Sequence, residues 1–170
     1  MWNISRGGYT TGTLQGGKLV YGDRTYTFVD TSAEPCPSDL RNQIYVRTLQ
    51  ADRNSTGTSF LGFNVNMEVR VYVALCDQIT APPSWLQTQG WQKTGAKLFT
   101  TDPTPGRDLY LKQFPAGRVT LGGNWQAGMP PGRSMYTVVV LAYTTASENW
   151  LIYSDAGADK RPALAEFRRR

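Results

Sequence analysis

The side chains that most often carry catalysis near neutral pH are scarce in this chain. It contains no histidine, which excludes Ser-His-Asp and Cys-His nucleophilic catalysis. Its 13 acidic residues lie mostly in turns or beside basic residues, and no pair can be assigned to facing strands for two-carboxylate glycoside hydrolysis. The stretch Gly122-Gly123-Asn124 is not followed by the Lys-Ser/Thr of a phosphate-binding loop. We therefore predict that the protein is not an enzyme.

The two cysteines, Cys36 and Cys76, do not form a metal-binding pattern. Neither belongs to a C-x-x-C motif, and without histidine a zinc site would need two further ligands of another kind. We expect no metal and no cofactor. Two alternatives stay open for the thiols: a disulfide that ties the Pro35-Cys36-Pro37 loop to the end of a strand, or two buried free cysteines.

The tryptophans are the strongest candidates for ligand contacts. Trp125 lies in a loop rich in Gly, Pro and Gln, where burial is difficult, whereas Trp91 is expected to pack in the core. An exposed aromatic face can stack on a sugar ring while nearby polar groups bind its hydroxyls, although protein–protein contacts use the same residue types. The candidate ligand-binding residues are Trp125, Trp85, Asn124, Gln126, Arg133 and Tyr110.

The distribution of charge argues against a nucleic-acid partner. The net charge is +5, but residues 160–170 contain five basic residues and one acidic residue, and so supply four of the five net charges. A polyanion-binding domain would carry basic residues as a face of the fold. No apolar run approaches the roughly 20 residues that span a bilayer, so we expect no membrane insertion. The N-terminus lacks the basic and apolar regions of a signal peptide.

Short runs of β-branched and aromatic residues predict the elements that position these side chains. Glu68 to Cys76 alternates with period two, which predicts a strand with one buried side. Val138 to Leu141 is apolar on both faces and predicts a central strand within Ser134–Tyr143. Further strands are predicted at Tyr9–Leu14, Tyr26–Val29, Gln43–Leu49, Ser59–Val65, Lys97–Thr101, Leu109–Phe114, Arg118–Leu121 and Trp150–Tyr153.

Gly- and Pro-rich turns separate these runs, and convincing helical periodicity is absent outside Pro162–Arg168. The pattern predicts an all-β fold, a jelly-roll-like β-sandwich of about 8–10 strands. We expect a single domain over residues 1–145, followed by a C-terminal extension with a basic tail over 146–170.

Several of these segments carry a family resemblance that covers about residues 14–143. The chain resembles a non-catalytic β-sandwich accessory module of large secreted bacterial proteins, often found next to polysaccharide-active enzymes. In that pattern Trp85, Gly90, Trp91, Gly123 and Asn124 recur and are expected to support the fold, whereas the insertion Trp125–Gly132 departs from it. The segments that carry the resemblance are Tyr21–Phe28, Ile44–Thr48, Val71–Leu75, Pro83–Leu86, Gly90–Gly95, Phe114–Gly117, Val119–Asn124 and Ser134–Val139.

The resemblance implies an extracellular or cell-surface module that binds polysaccharide through an exposed aromatic face. The alternative is a self-assembling structural subunit that reaches its neighbour through an extended N-terminal segment or the basic tail, in a homo-oligomer built by strand addition. A histidine-free carbohydrate-active enzyme is a third class of function.

Overall fold

The strands of this chain form two antiparallel sheets of unequal size. The computed structural model describes residues 1–128 and 133–143. The larger sheet has seven strands in the order β1-β3-β9-β5-β7-β6-β2, and the smaller sheet pairs β4 with β8. The strands are β1 (Thr10–Thr13), β2 (Phe28–Val29), β3 (Ile44–Arg47), β4 (Leu61–Val65), β5 (Val69–Cys76), β6 (Gln92–Thr100), β7 (Gly106–Phe114), β8 (Gly117–Leu121) and β9 (Thr137–Ala142).

Helices contribute little to the described part of the chain. A one-turn helix α1 (Ser84–Thr88) follows Pro83, and a short 3₁₀ helix spans Gln50–Asn54. The predicted all-β, sandwich-like fold is therefore confirmed, with nine strands in the described residues. The predicted strand Trp150–Tyr153, the helix Pro162–Arg168 and the extension over 146–170 lie outside the described residues.

The central position predicted for the last strand is confirmed. β9 lies between β3 and β5 in the larger sheet, with Val138 opposite both Val46 and Val73. A strand with a neighbour on each edge and apolar residues on both faces can be covered on both sides.

The prediction of one buried side for β5 was wrong. Tyr72, Ala74 and Cys76 are buried as completely as the valines of the opposite face. The second face is covered by the chain that leads into β3, from which Asp39 accepts a hydrogen bond from the Tyr72 hydroxyl (3.3 Å). The alternation of apolar residues therefore identified β5 correctly as a strand, but it did not show that its second face is also covered.

β6 begins earlier than the sequence predicts. Its first residues pair Gln92 with Leu111 and Lys93 with Tyr110, and the register then shifts before Lys97 meets Asp108. Gly95 lies within this bulge at a φ of +80°, a backbone conformation that glycine adopts at low cost. The polar residues before Lys97 are typical of a turn, but they form the bulged first part of this strand.

One ion pair lies completely inside the fold. The guanidinium of Arg107 contacts the carboxylate of Asp102, and both side chains are 0% exposed. The same guanidinium donates to the Tyr21 hydroxyl (3.0 Å), which donates in turn to the carbonyl of Met135 (2.9 Å). The Nε and Nη1 atoms of Arg107 are buried without a hydrogen-bond partner within the described ranges. The carboxylate of Asp102 is therefore the group that chiefly stabilises the fully buried positive charge of Arg107.

Candidate functional site

Trp85, expected to contact a ligand, belongs to the core. Its ring is 2% exposed, and Nε1 donates a hydrogen bond to the carbonyl of Gly123 (2.9 Å). The ring packs edge-on against Trp91 and Tyr136, with centroid distances of 5.6 and 6.1 Å. A Cβ on Gly122 would overlap this indole, so glycine is required there by the close approach. The sequence left Trp85 open between a ligand contact and a structural role, and the structure places it in the core together with Trp91, which was predicted there.

Trp125 is less open than its loop composition suggests. It is partly buried and packs against the core, and its backbone N–H donates to the carbonyl of Ser55 (2.8 Å). Residues 129–132 of the same loop lie outside the described residues. A ligand contact of Trp125 stays a prediction.

The polar candidates are mostly engaged inside the protein. Asn124 is 1% exposed; its amide donates to the carbonyls of Arg53 and Ser134, and its side-chain oxygen accepts from the N–H of Tyr136. Asn124 therefore ties three segments of chain together, and these bonds leave its amide little freedom to bind a sugar.

The other three polar candidates have different surroundings. The Gln126 side-chain oxygen accepts a hydrogen bond from the N–H of Ser84 (2.7 Å), and Arg133 donates to Gln78. Tyr110 is 8% exposed, and burial raises the pKa of its hydroxyl. Within the described ranges, no hydrogen bond or ring contact joins Tyr110 to Trp85 or Asn124. Hydrogen bonds from Ser84 to Gln126 and from Trp85 to Gly123 join two of the segments that contain the candidates, and a shared ligand contact stays a prediction.

A groove on the larger sheet is a better candidate site. It has a volume of about 500 Å³. β5, β7 and β6 run side by side, with Arg70 opposite Gln113 and Leu111 opposite Gln92. Opposite residues of antiparallel strands project from the same face, so the register gathers these four side chains. The groove is lined by Arg70, Gly90, Gln92, Leu111, Lys112 and Gln113.

The polar side chains of this groove are available to a ligand. Within the described ranges, no side-chain hydrogen bond or ion pair involves Arg70, Gln92 or Gln113. The guanidinium of Arg70 instead lies over the ring of Tyr143, 4.6 Å from its centroid. This distinguishes the groove from Asn124, Gln126 and Arg133, whose polar groups bond within the protein. The arrangement can bind a polar ligand through two amides and one guanidinium.

Sequence reasoning missed this groove because its residues come from three separated segments. Arg70, Gln92 and Gln113 are ordinary surface residues when read singly. One signal was present: Arg70 interrupts an otherwise apolar central strand. Only the strand register shows that amides lie beside it.

The two cysteines are buried and unbridged in this structure. The sequence left a disulfide and two free cysteines as alternatives, and the structure contains two free thiols. The Cys36 thiol lies 3.6 Å from the carbonyl of Pro37, and burial, assisted by the nearby carboxylate of Asp30, raises its pKa to about 11.

Both thiols are expected to resist modification until the protein unfolds. Burial blocks access to both thiols, and the raised pKa of Cys36 leaves it little reactive thiolate at about pH 8. Iodoacetamide should leave Cys36 and Cys76 intact in the native protein and modify both in urea, as read by peptide mass spectrometry. An intact non-reduced mass lower by two hydrogens would instead demonstrate the disulfide.

Among the described residues, no group of three or more acidic or cysteine side chains is arranged to hold a metal ion. In the same ranges, no helix has the length and apolar character needed to cross a membrane.

Comparison with known proteins identifies the fold but not a family. No protein-family model and no curated protein matches the sequence. Among solved structures, the chain is similar to a β-glucuronidase from glycoside hydrolase family 2, with a TM-score of 0.71 and 23% identity, over 83% of this chain and 14% of that one. It is also similar to a GH138 enzyme targeting the pectin rhamnogalacturonan II, with a TM-score of 0.53 and 16% identity, over 81% of this chain and 16% of that one. At these identities, the chain shares the fold of one small part of two much longer glycoside hydrolases.

Proposed function

We propose that this domain is a non-catalytic carbohydrate-binding module of a secreted protein, and that the glycan binds in the groove on β5, β6 and β7. The observation that carries the proposal is a groove of about 500 Å³ whose polar side chains, Arg70, Gln92 and Gln113, form no side-chain hydrogen bond or ion pair within the described ranges. Small-molecule sites typically have volumes of this order and a few convergent polar groups.

The chemistry of the lining suits a sugar. Each glutamine amide offers donors and an acceptor, which match the hydroxyl groups of a sugar ring. Leu111 is partly exposed between them and offers apolar surface to the C–H groups of the ring. The groove thus combines polar and apolar contacts, although its apolar surface is aliphatic where the sequence predicted an aromatic face.

Two further observations support an accessory role. Hydrolysis of glycosidic bonds usually needs a pair of carboxylic acids across the bond, and none of the six described lining residues is acidic. The two structural neighbours are glycoside hydrolases of which this fold is only 14% and 16%. A fold of this size inside such enzymes is consistent with a module that accompanies a catalytic domain.

Removing the two amides tests the proposal. Gln92→Ala with Gln113→Ala should weaken binding to a glycan selected on an array by about 5- to 100-fold, because each lost hydrogen bond contributes about 0.5–1.5 kcal/mol. Isothermal titration calorimetry measures the affinity, and circular dichroism checks the fold. Gln15→Ala is the matched control, since Gln15 is exposed and does not line the groove. Unchanged affinity in the double variant would contradict the groove as the binding site.

The alternative function, a self-assembling subunit, rests on a different part of the fold. β1 ends the larger sheet and pairs only with β3 within the described ranges. Its sequence, Thr-Thr-Gly-Thr, has none of the charged residues that usually protect an edge. A neighbouring chain could add a strand there. Absence of glycan binding together with concentration-dependent oligomers in size-exclusion chromatography would favour this function.

A further inference from the structure

The groove carries positive charge with no acid in its lining. Arg70 and Lys112 are both among its six lining residues, and the other four are uncharged. Both cations are partly exposed, so their charge is accessible to a ligand. A neutral polysaccharide gains little from two cations at its site, whereas an anionic one gains from both.

Arg70 differs from the six cations of the described residues that are paired with an acid. These six form ion pairs with a carboxylate: Arg6, Arg24, Arg41, Lys93, Lys97 and Arg107. No such pair involves Arg70 within the described ranges. Glu68 lies two residues earlier in the chain, just before β5; it is exposed and forms no ion pair with Arg70. Among residues 1–128 and 133–143, no acidic side chain therefore neutralises the guanidinium of Arg70.

The ring of Tyr143 contacts the guanidinium of Arg70 without a hydrogen bond from its N–H donors. Its guanidinium lies over the ring of Tyr143 with 4.6 Å to the centroid. Stacking engages the flat face of a guanidinium, whereas its N–H donors point outward in the plane. These donors match the two oxygens of a carboxylate. Since Arg70 forms no side-chain hydrogen bond within the described ranges, these donors are available to a ligand there.

Lys112 adds charge at a fixed place. Its ammonium donates to the carbonyl of Gln89 (2.6 Å) and lies 5.1 Å from the centroid of the Phe114 ring. Both contacts are with neutral groups, and no acid of the described residues forms an ion pair with this ammonium. Lys112 therefore increases the positive potential at the groove that also contains Arg70 and Gln113.

We infer that the ligand of the groove is an acidic polysaccharide, in which the carboxylate of a uronic-acid unit binds the in-plane donors of Arg70 while Gln92 and Gln113 bind hydroxyl groups. This inference rests on the proposed function and specifies the class of glycan. A sulfated sugar presents a related anion, and the experiment separates the two sources.

The test compares polygalacturonate with its fully methyl-esterified form, which has the same backbone without the charge. We expect wild-type protein to bind the acid form at least about tenfold more tightly. Arg70→Gln should weaken binding of the acid form by about 10- to 100-fold and leave binding of the ester unchanged. The affinity of Arg70→Lys for the acid form should lie between those of the wild type and Arg70→Gln, because lysine keeps the charge and loses the paired donors. Carrageenan, a sulfated galactan without uronic acid, serves as the sulfated arm; tighter binding there than to polygalacturonate would overturn the assignment to a carboxylate.

Arg24→Gln is the control for general charge, since Arg24 is exposed and its partner is Asp23. If Arg24→Gln weakens polygalacturonate binding as much as Arg70→Gln, attraction is nonspecific and the inference fails. The groove could instead bind neutral glycans as tightly as acidic ones, with binding lost when Gln92 and Gln113 are replaced. In that case the inference of an acidic ligand fails while the proposed function stands. If neither polymer nor any array glycan binds, both fail.

Discussion

Replacing Asp102 by alanine is expected to destabilise the domain by about 3–5 kcal/mol, because it leaves a buried charge without its partner. Arg107 is 0% exposed, and two of its guanidinium nitrogens already lack a hydrogen-bond partner within the described ranges. After the change only Tyr21 and Thr100 would accept hydrogen bonds from it. Urea denaturation followed by tryptophan fluorescence measures the loss as a lower midpoint at unchanged slope.

Two comparison variants isolate the effect of charge burial. Arg24→Ala removes an exposed ion pair with Asp23 and should cost less than about 1 kcal/mol. The double variant Asp102→Leu with Arg107→Met removes both charges and should cost less than Asp102→Ala alone, because no unpaired ion is left inside. A loss below about 1 kcal/mol in Asp102→Ala would mean that Arg107 regains hydration, contrary to its burial.

Trp85→Ala is the second change with a large expected effect, a loss of about 3–5 kcal/mol. The indole is 2% exposed, packs edge-on against Trp91 and Tyr136, and donates to the carbonyl of Gly123. Its removal leaves a cavity and an unpaired carbonyl. Trp85→Phe should retain part of the packing and cost less. Thermal and urea unfolding measure both variants.

Trp2→Ala is the matched control, because this tryptophan is 45% exposed and its paired groups with Asn64 belong to the backbone. It should change stability by no more than about 0.5 kcal/mol. If Trp85→Ala instead kept its stability and lost glycan binding, the ring would have to be exposed in solution. The groove on β5, β6 and β7 would then be the wrong site.

The sequence was most informative where local pattern and final environment agree. The apolar run Val138–Leu141 predicted a central strand, and β9 has a neighbour on each edge. Trp91 was expected in the core and is 8% exposed. In both cases burial follows from the residue types themselves, because a strand with hydrophobic side chains on both faces is stable only when both faces are covered.

The sequence was least informative where distant segments meet. Trp85 is buried because Gly122 allows its ring to approach closely and Gly123 accepts its N–H, and neither fact is visible in the residues around Trp85. The groove depends on the register that brings Gln92 and Gln113 beside Arg70. Register across strands is set by the whole sheet. The pattern within each segment therefore predicted the strands but not which residues lie opposite each other.

The position of β9 has a consequence for the growing polypeptide. Of the nine described strands it is the last to be synthesised, yet it alone connects β3 with β5 in the larger sheet. Until Thr137–Ala142 has left the ribosome, the nascent chain holds two separate groups of strands with open apolar edges between them. Such edges are exposed to mispairing, and pairing over long sequence separations is slow. The domain should therefore complete its folding only after nearly all of its described residues have emerged, and chaperones that shield strand edges should matter most at that stage.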